Sequence, residues 1–281
     1  MRFLVAHRRE QPPHLLGRRL RRHYRAQFRE EIDALGPLTQ PHVVSSARGL
    51  IQRRPRWLDA GTLAVYASGY DVRPGFYRVD AATGRRTPLG AHRITEDYFY
   101  HYGADTSRVL FARYVADPLA AIKAISEVYA LDLDSGDADR LTTGGRLTAP
   151  APAPDGGIWA LRHDGQFNHW AHVAPDGEIR RLTDFGRSYF VSLAPSPAGS
   201  DVAVLLNVAG HQGIFWASIG ADGRPVLTPR VLFADASVYD LDWSPDGRYV
   251  VFSADPGGFA NVYALDVARE VVTRLTNVPF G

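Results

Sequence analysis

The chain has no cysteine. Disulfides, thiolate metal sites and cysteine nucleophiles are therefore excluded. Lysine is almost missing as well. Lys123 stands alone, and arginine supplies the rest of the 32 basic residues. They face 30 acidic residues, so the net charge is only +2 and nothing marks the whole chain as a nucleic-acid binder. No apolar run approaches the roughly 20 residues that span a bilayer. The stretch Phe3-Leu4-Val5-Ala6 is too short for the apolar core of a signal peptide. Neither His-Glu-x-x-His nor Gly-x-Ser-x-Gly occurs, so a zincin helix and a serine nucleophile elbow are both lacking.

What is present favours strands. Hydrophobic residues make up 45 % of the 281 positions, with 26 glycines and 19 prolines. That mixture suits many short strands joined by tight turns. Only the first 37 residues differ in character. Leu15, Leu16, Leu20, Tyr24, Phe28, Ile32 and Leu35 recur at helical spacing, and Gly36-Pro37 stops the pattern. Arg18, Arg19, Arg21, Arg22, Arg25 and Arg29 line the other face. The expectation is a basic amphipathic helix whose apolar stripe docks on a neighbour. A contact with anionic lipid or nucleic acid is the less favoured alternative.

From residue 38 onward a repeat emerges. Its clearest copy runs Leu241-Asp242-Trp243-Ser244-Pro245-Asp246-Gly247-Arg248-Tyr249-Val250-Val251-Phe252, then Asn261 to Asp266, then Thr273-Arg274-Leu275-Thr276. The order is strand, turn, strand, loop, strand, turn, strand. Four earlier stretches follow the same order, with turns near Gly61, Asp105-Thr106, Asp155-Gly156 and Pro197 to Gly199. A period of about 40–50 residues with four strands per unit predicts a β-propeller. The five blades fall near 54–90, 98–143, 147–184, 189–234 and 237–277. The Trp243, Ser244, Pro245, Asp246, Gly247 turn has a local cause: Asp-Gly supplies positive φ, and Pro fixes the approach.

These residues resemble the WD-type repeats of the TolB-like propeller family, over about residues 54–276. The fifth repeat carries Trp-Ser-Pro-Asp-Gly and Arg-Leu-Thr almost intact; the fourth keeps only Ser196-Pro197 and Gly199 of the turn. The resemblance implies an all-β fold and a ring of six or more blades in which five are visible here. It also implies a larger secreted or periplasmic bacterial protein, since both ends read as interrupted. The helix and Leu38-Thr39 before the first blade resemble the junction in bacterial proteins that join a zinc-peptidase-like domain to such a propeller. Closure of the ring would need Leu38 to Ser46 to pair as an outer strand with the last blade, or a sixth blade.

Candidate chemistry is sparse. His163, His169 and His172 cluster in the third repeat. Spacing of three along a strand puts His169 and His172 on opposite faces, which suits no single metal. Propeller lyases that act on pectin hold a His-ligated metal, so these three are weak metal candidates, and no cofactor is expected. Asp240 and Asp242, two apart, should share one strand face. The aromatics are the better binding signal. Tyr98, Tyr100, Tyr102, Tyr189 and Tyr239 lie near the starts of innermost strands, at one mouth of the channel. A rim of such rings suits a protein or peptide partner. The expected function is thus a non-catalytic binding module. The alternative is the accessory propeller of a peptidase or polysaccharide lyase whose catalytic domain lies elsewhere. The insertion between Tyr114 and Ser126 is expected to be an exposed hairpin loop with apolar content.

Overall fold

In a computed structural model the described residues are 36–45, 49–95, 99–103, 107–117, 119–165, 167–184, 186, 188–220, 222–256 and 258–278, with Arg22, Arg29 and Asp33. Those last three are helical. The apolar stripe expected over residues 14–35 lies outside the described residues.

Five four-stranded antiparallel sheets follow one another along the chain, arranged as a propeller. The first holds β1 (Ile51–Trp57), β2 (Thr62–Ser68), β3 (Gly75–Asp80) and β4 (Arg86–Gly90). The second holds β5 (Tyr100–Tyr102), β6 (Arg108–Asp117), β7 (Ala120–Asp132) and β8 (Ala138–Arg140). In the third are β9 (Leu147–Pro152), β10 (Ile158–Asp164), β11 (Phe167–Val173) and β12 (Ile179–Arg181). The fourth comprises β13 (Ser188–Pro195), β14 (Asp201–Val208), β15 (His211–Ile219) and β16 (Pro225–Phe233). Last come β17 (Val238–Trp243), β18 (Tyr249–Ala254), β19 (Asn261–Asp266) and β20 (Val271–Arg274). Within every sheet, neighbours in sequence are neighbours in space. Each blade is therefore a meander that two-residue periodicity can specify.

The core lies between blades, as the alternation requires. Trp159, Leu161 and Trp170 of the third blade meet Phe190, Leu193, Val202 and Val204 of the fourth. The opposite face of the fourth blade, including Ala203, Leu205 and Ile214, packs on Leu241, Val250, Phe252 and Leu265 of the fifth. Tyr66, Phe76, Tyr100 and Phe111 join the first two blades. Burying each such ring or leucine is worth about 1.5–3 kcal/mol.

The Ser-Pro-Asp-Gly turn is tied by its own side chains. The Ser244 hydroxyl donates to Asp246 Oδ1 at 2.6 Å and accepts from the Tyr249 N–H at 3.0 Å. Gly247 N–H donates to Ser244 O, and Gly247 adopts φ 68°. Donation from Ser244 holds the Asp246 carboxyl below its ordinary pKa. The fourth blade repeats the knot with Ser196 and Asp201.

Two expectations change. The Tyr114–Ser126 insertion is no loop: β6 and β7 pair in register from Arg108↔Asp132 to Ala116↔Ala124. At its tip Leu119 and Ile122 are almost fully exposed. Residues 37–39 also reach the last blade without forming a regular strand. Thr39 N–H donates to Asn277 O, Asn277 N–H donates to the Thr39 hydroxyl, and the Asn277 amide donates to Pro37 O. Farther along, the Val44 carbonyl sits against Gly84 in the β3–β4 turn. Leu89 O sits in the same way against Gly136 in the next blade. Residues 37–45 thus follow the path an outer strand would take.

Candidate functional site

Three innermost strands bring the site together at their starts. Tyr189 opens β13, Thr148 lies at the start of β9, and Phe99 precedes β5. With Tyr114, His163 and Phe190 they line a cleft of about 390 Å³. Tyr114 and Tyr189 are each nearly half exposed, at 47 % and 43 %. The cleft wall is held rigidly. Asn168 donates to Phe190 O at 2.6 Å and accepts from Phe190 N–H at 2.9 Å, both across the third and fourth blades. His163 Nε2 lies 2.8 Å from the Thr148 hydroxyl, and its ring is 6.2 Å from that of Tyr189. Burial alone pushes the His163 pKa down, so the imidazole is neutral at neutral pH. Among the described residues, no hydrogen bond or ion pair joins His163 to a carboxylate. The described residues of the cleft offer aromatic faces and neutral hydrogen-bonding groups.

The predicted aromatic rim is only partly a rim. Tyr189 lines the cleft, and Tyr98 lies outside the described residues. Tyr100 is a correction: at 1 % exposure it belongs to the interblade core. Its hydroxyl donates to Arg53 O at 2.5 Å and accepts from Tyr66 N–H. Desolvation pushes its pKa well above the ordinary tyrosine value, so it stays protonated at any physiological pH. Tyr102 departs from the rim too; its ring packs between the first two blades, 5.8 Å from Tyr100. Tyr239 is exposed on the fifth blade and donates to Asp255 at 3.1 Å. Register matches Tyr239 to Phe190 and not to Tyr189, because the bulges of β17 and β13 follow Tyr239 and Phe190.

Those bulges also correct the acidic pair. Asp240 is the extra residue, at φ 47°, so alternation breaks there. Tyr239 and Asp242 pair with Ser253 and Val251 and so share a face; Asp240 and Asp242 do not alternate as a regular strand would. Asp242 accepts from the adjacent Trp243 N–H.

The three histidines do not converge on one point, although His163 acts electrostatically on His169. His169 pairs with Arg162 and His172 with Trp159, on opposite faces of β11. His172 Nε2 sits 2.9 Å from Asp155 near the third blade's turn. Among the described residues, no three His, Cys, Asp or Glu side chains stand close enough to hold a metal ion.

One buried charge carried no sequence signal. Glu127 is fully buried, accepts from the Thr142 hydroxyl at 2.5 Å and Gly145 N–H at 3.1 Å, and lies 3.5 Å from Arg140. It is a structural clasp of the second blade.

With the geometry in hand, likenesses to solved structures settle the architecture. TolB from Acinetobacter baumannii superposes with a TM-score of 0.65 over 86 % of this chain and 58 % of that one, at 20 % identity. The fold is a TolB-like β-propeller. A puromycin-hydrolysing peptidase from Mycobacterium tuberculosis shares it at a TM-score of 0.54, covering 86 % of this chain and 41 % of that one, at 20 % identity. In sequence, the Tol-Pal system protein TolB of Francisella tularensis is 54 % identical over 43 residues, which is 15 % of this chain and 10 % of that protein. The chain thus matches only a tenth of the curated relative's length. No family model matches the chain. Propellers similar to this TolB-like one therefore include both a Tol-Pal component and a peptidase. Among the described residues, no helix is long and apolar enough to cross a membrane.

Proposed function

We propose that this chain is a non-catalytic propeller that binds a protein or peptide segment in the Tyr114–Tyr189 cleft. The observation that carries it is the pairing of half-exposed tyrosines with a wall fixed by Asn168. Rigid aromatic faces give contact area at low entropic cost. Backbone groups of a peptide could be met by His163 and Thr148, which lie in the same cleft. The name of the Tol-Pal relative agrees with a role among protein partners. The test is retention of peptides from an amidated dodecapeptide pool on the full chain. Tyr189→Ala should weaken retained peptides about tenfold or more, as expected of an aromatic anchor. If no peptide is retained, or if Tyr189→Ala binds equally well, the cleft is not the site.

A second reading rests on the peptidase likeness: the propeller accompanies a catalytic domain. A gene whose product continues this reading frame into a hydrolase domain would favour it.

A further inference from the structure

A second cleft lies between the third and fourth blades, at the far end of β9 from the tyrosine cleft. Thr148 of the tyrosine cleft is at the start of β9, whereas Pro154 and Asp155 of the second cleft follow its end. The second cleft has a volume of about 360 Å³, which is enough for a small ligand. Both blades supply its apolar lining: Pro154, Trp159 and Leu182 come from the third and Ile219 from the fourth.

Asp155, His172 and Arg180 line the same cleft. Asp155 is already met. It accepts from Gly157 N–H at 3.0 Å, and His172 Nε2 lies 3.2 Å and 2.9 Å from its two carboxylate oxygens. Burial raises the Asp155 pKa, but the His172 and Gly157 bonds outweigh it and hold the carboxyl below its ordinary value.

Arg180, on β12, is in a different condition. It is exposed, and among the described residues no hydrogen bond, ion pair or ring contact involves it. Its guanidinium crosses to the fourth blade and lies against Gly223 in the β15–β16 turn. Nη2 is 2.9 Å and Nη1 3.3 Å from where a Cβ on that glycine would stand. Gly223 sits at φ 72°, so the turn favours glycine, and the missing side chain leaves the guanidinium its seat. The nearby Arg181 and Arg224 both pair with Asp184 instead.

A guanidinium presents its donors in a planar fork, which a carboxylate matches with two parallel bonds. The walls beyond it are aliphatic and aromatic. A ligand with an anionic head and an apolar body meets both. The single charge of Arg180 balances a monoanion, and the Asp155 carboxylate in the same cleft opposes a dianion such as phosphate. We propose that this cleft binds a small carboxylic acid, with the carboxylate on Arg180 and the apolar body against Leu182 and Ile219. The site is independent of the tyrosine cleft and of the peptide binding proposed there.

The test is calorimetric titration of the full chain with phenylacetate and its neutral isostere phenylacetamide. Phenylacetate should bind about tenfold or more tighter than the amide. Arg180→Gln changes an exposed side chain that has no protein partner, so the fold is retained, and phenylacetate should fall to the affinity of the amide. Ile219→Ser should weaken both probes. Arg224→Gln removes a neighbouring positive charge outside the cleft and should leave phenylacetate binding unchanged. Equal affinities for the two probes, or phenylacetate binding unchanged in Arg180→Gln, would overturn the site. A loss in Arg224→Gln as large as that in Arg180→Gln would also overturn it, since a general positive field would then be attracting the acid. Inorganic phosphate that competes as well as phenylacetate would refute the choice of a monoanion. A hexapeptide ending in a free phenylalanine carboxylate separates the two sources of this chemistry: binding tighter than phenylacetate, lost on amidation, would move the assignment from a small acid to a chain terminus.

Discussion

His101 makes stability depend on pH in a way one substitution can isolate. Burial, and then the charges of Arg54 and Arg56, push its pKa down to about 3. In the unfolded chain the imidazole titrates near about 6.5. A histidine whose folded pKa is lowered leaves the unfolded state binding more protons between the two values. Folding is therefore favoured above the unfolded pKa, and stability falls as pH drops below it. From pH 7 to pH 5 the loss from this residue is about 2 kcal/mol, since the folded form stays almost wholly neutral while the unfolded one takes up its proton. His92, His163 and His169 are lowered as well and act in the same direction. Their share is removed by comparison with His101→Asn, whose amide can still donate to Pro150 O. Urea unfolding of both chains at the two pH values gives the difference. The wild type should lose about 2 kcal/mol more than the variant on acidification. Equal losses would mean that His101 is hydrated or paired with an anion in the folded state, and the reasoning would fail.

Other outcomes follow from single contacts. Gly136→Ala should cost more than Gly177→Ala, because both sit at positive φ but only Gly136 has the Leu89 carbonyl where a Cβ would go. Thermal melting that ranks them the other way would contradict the packing of β4 on the second blade. Glu127→Ala should lose about 3–5 kcal/mol by urea titration, since it leaves the Thr142 and Gly145 donors unmet in a buried site. Trp243→Phe loses both the 2.7 Å bond from Nε1 to Ala194 O and the stack on Trp216, and should cost about 1–3 kcal/mol. Gly247→Val forces a β-branched residue into φ 68° and should lower stability by about 1–3 kcal/mol; an unchanged melting temperature would discredit the turn.

Local chemistry was the readable part of the sequence. The Ser244 to Gly247 knot closes within six residues, so its geometry is written in adjacent letters. The five meanders are legible for the same reason: each strand pairs with the next one along the chain. Errors arise where the ring decides. Tyr100 and Tyr189 look alike as tyrosines beside an innermost strand, yet one is sealed by Tyr66 and Phe76 from the adjacent blade and the other opens on a cleft. The bulges at Arg54 and Asp240 leave no turn residue to betray them; both are charged, non-glycine positions at positive φ. Once a bulge is missed, face assignments beyond it invert, as happened with Asp240 and Asp242. Glu127 sits in a mostly apolar strand that also carries the charged Lys123, and its partners Thr142 and Gly145 come from beyond the next strand, so nothing local marks it as the buried charge.

The bonds between residues 37–39 and Asn277 carry a kinetic consequence. Their ends are separated by 238 positions, while nearly every other pairing joins neighbours. Blades can zip up in sequence, each on the face of the one before, but this tie cannot close until the last blade exists. Its loop-closure entropy is the largest in the fold, and few apolar contacts repay it. Hydrogen exchange should find the Thr39 and Asn277 amides among the earliest to open, well before the strands of the third and fourth blades. The ring would then breathe at this seam, and the Arg54 bond to Leu241 O, which joins the two blades flanking the seam, would limit how far it opens.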